Sequence, residues 1–232
     1  MGIFDKIFGN KEEVEYKMTL AQVSNPLMDR IDKLPEKEVR EYFKVILDAA
    51  ERSLRGILFM APEEFNFKKA VTKEEIDFWI RKVSLVLVAY SFYFFSGGED
   101  SPMVQFSYEA YWQRMLDSYN KIFGENITKD NINFYAAGLK EDTEKGYSAS
   151  GNMQKAMGLT KKDHATIATE LLENIWHENI TAEVKSEIKA YGPDYGADRL
   201  SATARKILFL GARIWQAHQQ IVQPFLPKLL GM

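Results

Sequence analysis

The sequence predicts an all-α protein, a single-domain soluble bundle of about seven or eight helices. Three observations predict it. Apolar residues recur at three- and four-residue spacing along most of the chain, and helix-start signals precede several of these runs. The period-2 alternation of a half-buried strand is missing. With 232 residues, 46% of them hydrophobic and 27% charged, the composition is ordinary for a globular chain. Area scaling at this length buries roughly 70% of the unfolded surface, so a core needs no staples.

Residues 1–20 are read as an N-terminal amphipathic segment and linker, and 21–232 as the bundle. Within residues 36–60, Val39, Phe43, Ile46, Leu47, Ala50, Leu54, Ile57 and Leu58 make one broad apolar face that stops before Pro62. Thr72 opens the next helix, with Glu75 three residues on as a capping box and Val71/Ile76 as a hydrophobic staple. That helix contains the longest apolar run, Val83–Phe95, which starts amphipathic and becomes apolar nearly all round from Leu85. Thirteen residues span roughly 20 Å as a helix, against roughly 30 Å for a bilayer core, so the run is expected to be a central buried helix.

Ser101-Pro102 then reads as an N-cap followed by a proline at the first helical position, launching Met103–Phe123, which ends at Gly124. Thr128 caps a further helix to about Leu139, and glycine-bearing 140–159 reads as a connection. Thr160 starts a helix with Ala168, Leu171, Leu172, Ile175 and Trp176 on its apolar side. A short helix follows from Thr181 to Tyr191, and 191–199, with Gly192, Pro193 and Gly196, is a loop. The last helix, about Ser201–Val222, carries Ile207, Gly211, Ile214, His218 and Ile221 on one stripe and is interrupted by Pro224.

Composition narrows the functional classes. The net charge of -3 is mild and no Lys/Arg block is present, so nucleic acid is not an expected partner. The absence of cysteine removes thiol nucleophiles, iron–sulfur clusters and Cys-type zinc sites, and fits a cytoplasmic setting. The N-terminus lacks a continuous apolar stretch of the signal-peptide kind. Phosphate-cradling glycine loops, nucleophile elbows, His-Glu-x-x-His and dinucleotide fingerprints are all missing, and the Gly146–Gly151 loop has neither a preceding strand nor a Gly-Lys-Ser end.

What remains are three candidate constellations. Ile3, Phe4, Ile7 and Phe8 would share one helical face, suited to docking on a partner chain or lying peripherally at a membrane interface. Tyr90 and Phe94, facing Tyr108 and Trp112 across the Ser96–Ser101 connection, could wall a pocket for a lipid or flat aromatic ligand, although such stripes usually form core. His218 interrupts an apolar stripe and joins those pocket candidates; His164 likewise shares a face with Ala168 and Leu171. A buried imidazole asks for a hydrogen-bond partner, or else serves as a haem ligand or general base. Glu170, Glu173 and His177 lie on one polar helix face but lack the Glu-x-x-His pairing of di-iron bundles, so no metal or other cofactor is expected. The residues favour a non-enzymatic helical interaction or regulatory protein, with a protein partner or self-association. Small-molecule binding is the alternative, and a metal- or haem-dependent helical enzyme the lesser one.

Overall fold

A computed structural model describes residues 11–61, 72–96, 102–128, 182–191 and 200–229. Among them the secondary structure is helical throughout and contains no strand. The helices are α1 (Lys11–Asp32), α2 (Lys37–Met60), α3 (Lys73–Ser96), α4 (Pro102–Phe123), α5 (Ala182–Tyr191), α6 (Ala202–Ala217) and the short α7 (Leu226–Leu229). A π-turn, His218–Val222, and a 3₁₀ turn, Gln223–Phe225, join α6 to α7. The helices expected from Thr128 and from Thr160, and the 140–159 connection, lie outside the described residues except for Thr128 itself. Among the described residues no helix is long and apolar enough to cross a membrane.

Helix α1 contains the expected boundary at residue 20 and runs past it with Pro26 inside. A proline there removes the backbone bond to Gln22 and crowds its carbonyl, at a cost of about 3 kcal/mol. The helix persists because Tyr16, Val23, Leu27 and Ile31, at seven- and four-residue spacing, are all buried. Each such side chain contributes roughly 1.5–3 kcal/mol, so burial outweighs the proline. Leu34 follows, buried in a turn whose carbonyls at Leu34 and Pro35 accept from Arg40 Nη1 at 2.5 and 3.0 Å.

Helix α2 follows the expected stripe closely, with every residue of it buried from Val39 to Leu58. The Thr72 capping box opens α3 as read: Thr72 N–H donates to Glu75 Oε2 at 2.8 Å, and Glu75 N–H donates to Thr72 Oγ1 at 3.2 Å. The six consecutive residues Val83–Val88 are all buried, which is what a helix enclosed on every side requires. Rather than one central helix, the core has a central pair. Both α2 and α3 pack against α1, α4, α6 and the π-turn, as well as against each other.

The C-terminus of α4 is held by its neighbours. Gly124, at φ 68, leaves the helix in the left-handed region that favours glycine, and its N–H and that of Glu125 donate back to Asn120 O at 2.8 and 3.2 Å. Arg30 Nη1 of α1 donates to Ile122 O at 2.8 Å, and Arg81 Nη1 of α3 donates to Phe123 O at 2.7 Å. Two cations therefore sit at the negative end of the helix dipole, on carbonyls that have no partner within the helix. Tyr119 donates its hydroxyl proton to Arg81 O at 2.9 Å, and Asp77 pairs with the Arg81 guanidinium at 2.5 Å. The Asn120 side chain then clamps both the N–H and the carbonyl of Ile127, at 2.8 and 2.9 Å.

Ser201 caps α6 as expected, its Oγ accepting from Ala204 N–H at 3.2 Å. The Glu187 carboxylate of α5 accepts from the Ser201 hydroxyl at 2.8 Å and from its backbone N–H, bringing negative charge to the positive end of α6. Pro224 does not stop the chain's helical path. Just before it the ladder widens, with Gln223 N–H donating to His218 O, and Val222 and Leu226 remain buried. A wider turn relieves the clash that a proline ring makes in a regular α-helix.

Candidate functional site

The inner face of α6 and the π-turn meets α3 through aromatic rings. Tyr90 lies edge-on to Trp215 (5.0 Å between centroids) and to His218 (5.5 Å), and Trp215 stacks on His218 at 5.6 Å and 19°. Two of the pocket candidates, Tyr90 and His218, are thus brought together, with Trp215 as the third ring. The side chains of Phe94, Tyr108 and Trp112 lie outside the described residues, as do Ile3, Phe4, Ile7, Phe8, His164, Glu170, Glu173 and His177.

His218 is 1% exposed, and neither ring nitrogen has a hydrogen-bond partner. Burial holds its pKa down at about 3, so the ring is neutral over the physiological range. Burial also raises the Tyr90 phenol above its ordinary range, so it too stays uncharged. Close to this nest, Ser91 donates to Leu87 O at 2.9 Å, which satisfies its hydroxyl within α3. Rings in mutual contact around an uncharged imidazole are packing chemistry. Among the described residues, no three His, Asp or Glu side chains come together in a way that could hold a metal ion.

The outer face of the same helix is different. Between α2 and the α6/π-turn segment lies a groove of about 610 Å³. Its floor is made of small residues, Ser53, Gly56 and Ala217. Ser53 returns its hydroxyl to Ala49 O at 2.7 Å and so leaves the floor flat. Gly56 matters for closeness: a Cβ there would meet Arg213 Cδ at 3.5 Å, so the arginine stem lies directly against the α2 backbone.

The groove's walls carry three guanidinium groups and no carboxylate. Arg52 and Arg55 project from α2 three residues apart, on one helix face. Arg52 shares its charge with Asp48, at 3.0 Å on the same helix. Arg213 stands opposite, its guanidinium 5.0 Å from the Phe209 ring centroid and donating to Gln216 Oε1 at 3.3 Å, with no carboxylate partner among the described residues. Phe59 and Met60 form an apolar end, with Met60 62% exposed, and Ile221 adds to it from the π-turn. From Arg52 to Met60 along α2 is about 12 Å at the α-helical rise.

Of these groove residues only Ile221 lies on a stripe that the periodicity marks, and no motif marks any of them. Arg52 and Arg55 read as part of an exposed helix face, and only Gly56, a mid-helix glycine at a cost of about 1 kcal/mol, hinted at a close approach. Comparison with known proteins adds no family: no family model matches this sequence, and neither a curated protein nor a solved structure is significantly similar to it.

Proposed function

We propose that this chain is a non-enzymatic helical binding protein, one domain of seven or eight helices, which works through the groove between α2 and α6. The observation that carries this reading is the groove itself. Its volume of about 610 Å³ lies within the range of roughly 300–1,000 Å³ typical of ligand sites. Three arginines and an exposed methionine converge on it. The reading is tested by native mass spectrometry of the chain purified from its own host, alongside Gln216→Trp. Gln216 is exposed on the groove wall, so a tryptophan there blocks the groove without entering the core. A co-purified molecule present on the natural chain and lost from the variant supports the reading. Recovery of the same molecule on both, or of none on either, refutes it.

A second reading, contact with a partner or membrane surface through residues 1–10, draws support from α1. Val14 and Met18, one helical turn apart on α1, are 40% and 59% exposed. Deleting residues 1–10 and measuring flotation with liposomes tests it, and unchanged flotation refutes the membrane form of the reading.

A further inference from the structure

We infer that the groove takes a soluble carboxylic acid with an apolar body, its carboxylate on the Arg213 guanidinium and its body over Phe59 and Met60. The inference rests on the binding reading above and names the ligand class for that site.

The hydrogen-bonding state of the walls decides the head group. Two of the three lining guanidinium groups are already engaged: Arg52 pairs with Asp48 at 3.0 Å, and Arg55 has a partner within the fold. Arg213 differs. Its Nη1 donates to the neutral Gln216 Oε1 at 3.3 Å, and among the described residues it has no ion pair. That bond leaves the opposite edge of the planar group, Nε–H and Nη2–H, without an acceptor among the described residues. The two oxygens of one carboxylate match such an edge with two parallel charge-assisted hydrogen bonds. A phosphomonoester brings a third oxygen and a further charge, for which Arg213 offers no second fork. A neutral head group would leave the guanidinium charge unmatched. Arg213 is also prepositioned. A Cβ on Gly56 would lie 3.5 Å from its Cδ, and its head lies 5.0 Å from the Phe209 ring centroid, so it loses little freedom on binding.

The α2 wall decides the body. Phe59 and Met60 lie three and four residues beyond Gly56, which puts them on the same side of α2 as the Gly56–Arg213 contact, one turn further along. A small carboxylate ion would leave them facing water, Met60 at 62% exposure, whereas an attached apolar body covers them. A groove of about 610 Å³ has room for a single chain of medium length entering from solution.

Calorimetric titration of the full chain at neutral pH with decanoate, below its micelle concentration, tests the inference. Saturable one-to-one binding is expected, weakened at least about tenfold by Arg213→Gln through loss of the charge-assisted pair. Acetate and decanol are each expected to bind at least about tenfold more weakly than decanoate, since each lacks one half of the match, and decyl phosphate no more tightly than decanoate. A smaller loss in Arg213→Gln, a smaller preference over acetate or decanol, tighter binding of decyl phosphate, or Arg213-dependent sedimentation with phosphatidylglycerol vesicles would each overturn it. Because Arg213 is half-buried and makes no ion pair among the described residues, its glutamine variant should keep the helical circular dichroism and melting point of the natural chain. Should that variant melt early, Gln216→Trp serves in its place, with the same loss expected. If decanoate fails while another molecule co-purifies with the natural chain and not with Gln216→Trp, the ligand class falls and the binding reading stands.

Discussion

Replacing His218 with phenylalanine should remove a large part of this protein's sensitivity to mild acid. In the folded chain the imidazole titrates at about 3, against an ordinary 6.5, because burial among Tyr90 and Trp215 disfavours its charged form. A lowered folded pKa means that the unfolded chain takes up the proton first. The stability held by the neutral ring is complete above about pH 6.5 and is lost progressively as pH falls toward 3. Fully expressed, that lowering is worth on the order of 5 kcal/mol. Between pH 7 and 5.5 only about 1 kcal/mol is lost, and by pH 4.5 roughly 2 to 3 kcal/mol. Urea unfolding at several pH values between 7 and 5.5, before most carboxylates titrate, reads this directly. The natural chain should lose about 1 kcal/mol more than His218→Phe over that interval. At pH 7 the variant should be at least as stable, since two unpartnered buried nitrogens are replaced by carbon. Parallel pH profiles for the two proteins would refute the reasoning and mean that the imidazole is solvated in the fold.

Three further outcomes follow from the packing. Arg81→Gln removes the cation on Phe123 O and the ion pair to Asp77, and should lower the unfolding free energy by about 2 kcal/mol in urea melts. Gly124→Ala forces a Cβ into a backbone held at φ 68 and should cost about 1 kcal/mol by thermal melting, with little change in helix content. Ser201→Ala removes the N-cap of α6 and one hydrogen bond to Glu187, for about 1 kcal/mol, and should raise amide exchange at Ala204 first.

Much of the helical architecture is legible in the sequence because its signals are local. The α2 stripe, the Thr72–Glu75 capping box, the Gly124 stop and the Ser201 cap each need only a few neighbouring residues. Helix α1 is harder. Its buried positions are spaced correctly, but Pro26 and a polar stretch around Met18 mask the periodicity, and tertiary burial settles the matter. The same holds at Pro224, where a π-turn, a feature without a sequence signature, keeps the chain helical. The groove is least legible of all. Arg52 and Arg213 lie more than 150 residues apart, and only the docking of α6 on α2 makes them face one another. The polar positions along α3 illustrate the middle case. Asp77, Arg81, Ser84 and Ser91 lie on the side that meets other helices, and the identity of Arg81's partner, the end of α4, comes from the fold alone.

The arginine pair at the end of α4 also bears on how long the folded state lasts. Arg30 and Ile122 are 92 residues apart, so closing that contact costs roughly 4 kcal/mol of chain entropy before any return. Contacts of such separation form after the local helices and hairpins, on the native side of the folding barrier. Weakening either arginine should therefore leave refolding nearly unchanged and hasten unfolding. In kinetic terms Arg30 and Arg81 act as a latch: α1 and α3 can come away from α4 only once both have let go of its carboxyl end.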